Sequence, residues 1–174
     1  MPRILAQSDP PLWQRHKKLF AAIAVIIAFS IVGRFRAPIE RFVSGSEETV
    51  SVRYVVDGDT VVLADGRALR YLGIDTPEMD AAGEHERELA QEARRFNSDL
   101  VLGKTVRLEF DSVKKDKYGR TLAYVWIDGK SVNAALVSSG FARAAFYGDN
   151  ARYYNEYMRL EEDARSKRLG IWAQ

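Results

Sequence analysis

A chain of 174 residues holds one domain and a tail, since two domains of half that length would each be too small to bury a good core. With 47% hydrophobic and 29% charged residues, no internal repeat and no cysteine, it is neither disordered nor fibrous, and disulfides, thiol nucleophiles and thiolate metal sites are excluded. The net charge of +2 divides unevenly: residues 1–37 carry six bases (Arg3, Arg15, Lys17, Lys18, Arg34, Arg36) and one acid, Asp9, and the remainder carries 20 bases and 23 acids. No broad cationic field steers a polyanion in, so any handling of nucleic acid rests on a local basic site.

The first element is the uncharged run Leu19 to Gly33, LFAAIAVIIAFSIVG, which follows the basic cluster Arg15, His16, Lys17, Lys18. It reads as an export signal or a membrane anchor. Fifteen apolar residues fall short of the roughly 20 that span a bilayer and match a signal-peptide core about as well. No A-x-A-like site follows, and Arg34 and Arg36 stand where small neutral residues would be wanted. That favours a retained single-pass anchor in the cell membrane with the domain outside the cytoplasm, the lysines and arginines snorkelling to lengthen the span. Cleavage would instead leave the domain secreted or periplasmic. The segment is assigned to residues 1–36, with the hydrophobic helix at 19–33. Residues 37–48, with Pro38, Ser44, Gly45 and Ser46, read as a linker, and 49–174 as the folded domain.

Three β-rich runs open the domain: Thr49 to Val56, Thr60 to Leu63, and Ala68 to Leu72, the last two joined by an Asp65-Gly66 hairpin signal. A helix from Glu84 to Leu102 follows, with the stripe Leu89, Ala93, Phe96, Leu100 at helical spacing and Gly103 as its stop. Strands then return at Thr105 to Phe110 and Thr121 to Ile127. A short helix from Asn133 to Ser139 and a final one from Asn150 to Lys167, burying Tyr153, Tyr157, Leu160 and Ala164, complete the chain. Tyr154 belongs with these packing aromatics, and Trp172 reads as a C-terminal plug. Five strands with one helix inserted after the third fit an OB-type β-barrel with about three helices, an α+β fold, better than a βαβ alternation.

Two acid-rich turns stand at strand ends: Asp57-Gly58-Asp59-Thr60 and Gly73-Ile74-Asp75-Thr76-Pro77-Glu78. Either is by itself an ordinary turn, rich in Asp, Gly and Pro for backbone reasons. At the rim of a barrel they bring Asp57, Asp59, Asp75 and Glu78 together, and hard oxygen donors of this kind suit Ca²⁺ or Mg²⁺. Arg70 leads into the second turn, and Asp116-Lys117-Tyr118-Gly119-Arg120 precedes the last strand. Singly, each arginine suits a surface ion pair. Jointly, two guanidinium groups, a metal and a carboxylate match the charge that develops on a phosphodiester during hydrolysis. Of the two histidines, His16 is in the tail and His85 in an acidic segment, so a glutamate is the better candidate for the base.

The order Asp57-Gly58-Asp59-Thr60, then RYLGIDTPE (Arg70 to Glu78), then DKYGR (Asp116 to Arg120) followed by LAYVWIDGKSVNAALVSSG and a final GIW, resembles the staphylococcal-nuclease (thermonuclease) family over about residues 50–173. The resemblance implies an OB barrel holding Ca²⁺ through carboxylates at Asp59 and Asp75 and the backbone carbonyl of Thr76, with Asp57 acting at one remove. It also implies Glu78 as general base, Arg70 and Arg120 as phosphate-contacting arginines, and Lys117 and Tyr118 as contacts to substrate phosphate and nucleoside. Members cleave DNA and RNA, water attacking phosphorus and the 5′-oxygen leaving to yield 3′-phosphate ends. Lys114 and Lys115 are expected to add phosphate contacts, and the protein is expected to be a monomer.

Two departures from the family pattern matter. Where the prototype packs the base with two tyrosines, this chain has Phe146 and Gly148 with Tyr147 between them, so Phe146 and Tyr147 are the candidate stacking surfaces. The lysine-rich segment after the general base is replaced by Asp80, Glu84, Glu86 and Glu88, which should weaken binding of a polyanion. The alternative to a nuclease is a non-catalytic module of the same fold that binds nucleic acid or protein. Such modules typically lack the arginine and glutamate set that is present here.

Overall fold

The strands form where apolar residues alternate with polar ones and so present one face to a common core. The computed structural model describes residues 47–173; the expected anchor 1–36 with its helix 19–33, and the linker up to residue 46, lie outside them. β1 (Glu47–Val55), β2 (Thr60–Leu63) and β3 (Ala68–Tyr71) make an antiparallel meander, followed by the two-residue β4 (Ile74–Asp75) and by α1 (Glu84–Val101). Next come β5 (Thr105–Glu109), β6 (Thr121–Ile127), β7 (Lys130–Ser131), α2 (Val132–Ser138), β8 (Arg143–Ala144), α3 (Tyr154–Ser166) and a 3-10 turn at Gly170–Trp172.

A register shift between Val52 and Tyr54 bends β1, so its first half pairs with β5 and its second half with β2. β6 runs antiparallel to β5 and parallel to β3, which closes a mixed five-stranded barrel in the order β1-β2-β3-β6-β5. With three helices against it, this is the expected OB-type α+β fold, and closure leaves no long free edge. Leu63, Leu69, Tyr71, Leu108, Tyr124 and Leu136 are fully or almost fully buried at its centre.

Several boundaries differ from the sequence reading, each for a tertiary reason. β1 starts at Glu47, inside the expected linker, because Glu47 and Glu48 pair with Glu109 and Leu108 and their carboxylates meet Arg107 and Arg67. On α1 the deepest residues are Ala90, Ala93, Asn97 and Val101, whereas Leu89, Phe96 and Leu100 are only partly buried. α3 begins at Tyr154 rather than Asn150. The preceding residues are held by the loop beside them: the Asn150 amide bonds both to the N–H and to the carbonyl of Val113, and the N–H of Arg152 donates to Asp111. The three two-residue strands have no periodicity to read, and β4 and β8 matter because their pairing fixes the second acidic turn.

Candidate active site

The first acidic turn links β1 to β2. Asp57 Oδ1 accepts the N–H of Asp59 at 2.9 Å, the local bond that makes Asp-Gly-Asp a tight turn. Gly58 is required here: a Cβ would stand 2.7 Å from Thr76 Cγ2. Asp59 is 4% exposed, and its Oδ2 accepts both the N–H and the hydroxyl of Thr76, at 2.9 and 3.0 Å, while Oδ1 accepts the Thr60 hydroxyl at 3.1 Å. One buried carboxylate therefore joins the two acidic turns. The second turn is set by Gly73 at φ 75°, whose missing side chain makes room for Phe146, and by the β4–β8 pairing of Asp75 with Arg143.

Arg70, on β3, reaches across both turns. Its Nη1 lies 2.5 Å from Asp59 Oδ2 and its Nη2 donates to Asp75 Oδ1 at 2.7 Å. Burial pushes the Asp59 carboxyl up to about 7, against the opposing pull of Arg70 and the Thr76 hydrogen bonds. Glu78 is exposed and its carboxyl is also raised, first by partial desolvation and then by the neighbouring charges of Asp57 and Asp75, with Arg70 opposing. Those couplings place Glu78 within electrostatic reach of both turns.

The third stretch is the loop between β5 and β6. Asp116 accepts the N–H groups of Tyr118 and Arg120 on one oxygen, both at 2.9 Å, and the Arg120 Nε on the other at 2.7 Å. The carboxylate thereby shapes the loop and aims the guanidinium. Arg120 and Lys117 both stand over the Tyr118 ring, at 5.6 and 4.9 Å from its centroid. Arg70, Asp75, Glu78, Arg120, Lys115, Lys117, Tyr118 and Tyr147 line one pocket of about 800 Å³. Tyr118 and Tyr147, 73% and 74% exposed, offer it two open rings.

Other candidates lie elsewhere. Phe146 is partly buried and packs inward against Gly73, Tyr154 and Tyr157. The ammonium of Lys114 lies 5.4 Å from the centroid of the Phe110 ring, outside the pocket lining. Asp59, Thr76 and Asp57 sit behind the pocket and reach it through Arg70 and the turn hydrogen bonds.

Among the described residues no group of three or more His, Cys, Asp or Glu side chains gathers for a metal ion. The donor chemistry nonetheless fits a hard divalent cation: Asp59 and Asp75 converge on one guanidinium, which shows that their oxygens share a small volume already balanced by positive charge.

Two supporting residues carry no motif. Asn97 on α1 is fully buried, accepts the Tyr71 hydroxyl at 3.1 Å and donates to the Asp57 carbonyl at 3.2 Å. Asn150 is 3% exposed, and its amide pins the loop at Val113. The signal for Asn97 was a polar residue four positions after Ala93, on the face of the helix that packs inward.

A family model described as staphylococcal nuclease homologue matches residues 68–174. The thermonuclease of Staphylococcus hyicus is 36% identical over 163 residues, spanning 89% of this chain and 95% of that protein. The thermonuclease of Staphylococcus intermedius is 38% identical over 128 residues, 72% of this chain and 76% of its own. Endonuclease YncB of Bacillus subtilis is 38% identical over 130 residues, 72% of this chain and 62% of that protein.

Proposed function

The chain belongs to the staphylococcal-nuclease family, and from that premise we propose that it is a calcium-dependent nuclease in which Glu78 assists water attack while Arg70 and Arg120 stabilise the phosphate. That it hydrolyses phosphodiester bonds of nucleic acid follows from the family and from its thermonuclease and endonuclease relatives. The observation supporting the residue roles is that Arg70, Glu78 and Arg120 come from three separate stretches and line one pocket with Asp75.

The chemistry follows from those groups. A guanidinium carries five N–H donors, so the contacts of Arg70 to Asp59 and Asp75 leave donors for a phosphate oxygen. Arg120, held by Asp116 through Nε, keeps its terminal nitrogens for a second oxygen. Two such contacts match the charge growing on the equatorial oxygens as water adds. The raised carboxyl of Glu78 makes it a stronger base than an ordinary glutamate once ionised. It takes the proton of the attacking water, a new P–O bond forms, and the P–O5′ bond breaks with its electron pair on the 5′-oxygen, which takes a proton from solvent, leaving a 3′-phosphate end and a 5′-hydroxyl end. A Ca²⁺ ion held by Asp59, Asp75 and the carbonyl of Thr76, with Asp57 at one remove, would supply further neutralisation of phosphoryl charge. Lys115, Lys117, Tyr118 and Tyr147 hold the backbone and a base beside the scissile bond.

The test is digestion of single-stranded DNA and RNA by the full-length chain with Ca²⁺, with excess chelator, and with Ca²⁺ restored. Loss and recovery of cleavage supports the reading, and cleavage indifferent to chelation refutes its metal dependence. We further propose that residues 19–33 anchor the chain so that this domain works outside the cytoplasm. N-terminal sequencing of the natively expressed protein distinguishes a retained anchor from a cleaved signal.

A further inference from the structure

Asp75 and Glu78 border two cavities at once. One is the pocket of Arg70, Arg120, Tyr118 and Tyr147. The other, about 420 Å³, shares only those two residues with it and is walled by Pro77, Ala81, Leu89 and Ile171, with Glu86 and Arg143 as its further charged groups. The hydrolytic reading above leaves this second space without a role.

A nucleic-acid strand is continuous, so a phosphodiester seated between Arg70, Glu78 and Arg120 carries a nucleoside on each side. The first pocket serves one of them. Resting on the nuclease reading, we propose that the second cavity receives the nucleobase on the other side of the scissile phosphate and selects bases that carry an exocyclic amino group. Its volume lies at the lower end of small-molecule sites, roughly 300–1,000 Å³, so it suits one base rather than a length of strand. Its apolar walls suit the faces of a flat ring.

Charge then decides what enters. Asp75 is already paired with Arg70, but Glu78 and Glu86 still outweigh Arg143, whose guanidinium lies 5.4 Å from the centroid of the Trp172 ring. A negative cavity repels backbone phosphate and accepts N–H donors. The Glu86 side chain makes no hydrogen bond or ion pair among the described residues, so its carboxylate is available to a ligand. Adenine and cytosine present an amino group to such an acceptor and guanine does so on its Watson–Crick edge, whereas thymine and uracil offer only a single N3–H between two carbonyl oxygens that a carboxylate repels.

The experiment uses the full-length protein with Ca²⁺ and two kinds of substrate: randomised single-stranded oligonucleotides whose cut ends are sequenced, and a pair consisting of a dinucleotide and a mononucleoside p-nitrophenyl phosphodiester. The wild type should enrich amino-bearing bases on one side of the cut, and Glu86→Gln should reduce that enrichment at least threefold. Leu89→Trp, which fills the cavity, should lower the ratio of kcat/KM for the dinucleotide over the mononucleoside diester at least tenfold. Because each substrate pair is read within one protein, partial misfolding cancels from the ratio. An unchanged ratio in Leu89→Trp, or an unchanged base profile in Glu86→Gln, overturns the proposal. Failure of the wild type to cut any of these substrates overturns instead the nuclease reading beneath it.

Discussion

Asn97 joins α1 to the acidic turn, and its removal gives the most direct test of how the scaffold holds the site. In Asn97→Ala the Tyr71 hydroxyl, on a residue only 2% exposed, loses its acceptor where water does not reach. An orphaned buried hydroxyl costs about 1–3 kcal/mol. The Asp57 carbonyl also loses its donor, but Asp57 is half-buried and rehydrates, so that loss is about 1 kcal/mol or less. Together the change should cost about 1–4 kcal/mol, a large fraction of the roughly 5–15 kcal/mol that stabilises a domain. Urea unfolding followed by tryptophan fluorescence measures it, with the slope unchanged if only the native state is affected. Tyr71→Phe in the same background removes the orphan, so the double variant should be less destabilised than the sum of the singles by about 1 kcal/mol. Because Asp57 then moves relative to Asp59, kcat/KM should also fall about tenfold under conditions where the protein stays folded. A cost below about 0.5 kcal/mol, or singles that add within the roughly 0.5 kcal/mol expected of independent sites, refutes the assignment of Asn97 as the clamp.

Three further outcomes are expected. Glu78→Gln should lower kcat by about 10²–10⁴ while leaving the unfolding curve in place, and the acid limb of the wild-type pH profile should lie above the ordinary glutamate range, because the raised carboxyl must ionise before it accepts a proton. Tyr118→Ala and Tyr147→Ala should each weaken binding of single-stranded substrate by about 1–3 kcal/mol, read as KM, whereas Phe146→Ala should act on stability instead. Asp59 holds its proton more tightly folded than unfolded, so without metal the protein should lose stability as pH rises from about 4 to about 7. Added Ca²⁺ competes with that proton and should raise Tm most at the upper end of the range; a Tm indifferent to Ca²⁺ at neutral pH counts against Asp59 as a ligand.

The barrel was legible because its strands announce themselves locally. Val61, Leu63, Leu69 and Tyr71 alternate with more exposed residues, and the Asp65-Gly66 turn separates two runs of matched length. The parallel pairing of β3 with β6, which closes the barrel, joins residues about fifty positions apart and leaves no trace in either strand alone. The start of α3 was illegible for a related reason. Asn150 and Arg152 look like the first turn of the Tyr153–Tyr157 helix, yet their polar groups are drawn to Val113, Asp111 and Glu109, and only the folded chain brings those within reach.

The candidate site divides along the same line. Its charged members stood out because acids and arginines at strand ends are unusual enough to question, and most of them do meet at one pocket. Phe146 and Tyr147 show where residue type ceases to be informative: adjacent on the chain and both aromatic, they part because Gly73 leaves a hole under one of them. Phe146 fills that hole, packing at 5.9 Å from the Tyr157 ring, and the alternation of the backbone then turns Tyr147 outward to the pocket. Which of the two rings stays exposed is thus decided by a glycine on a different turn. A substitution at Gly73 should therefore disturb substrate binding through Phe146, the side chain that a Cβ there would meet: Gly73→Ala, strained at φ 75° and 2.8 Å from the Phe146 ring, should displace Phe146 toward Tyr147 and raise KM more than Phe146→Leu, which relieves the contact.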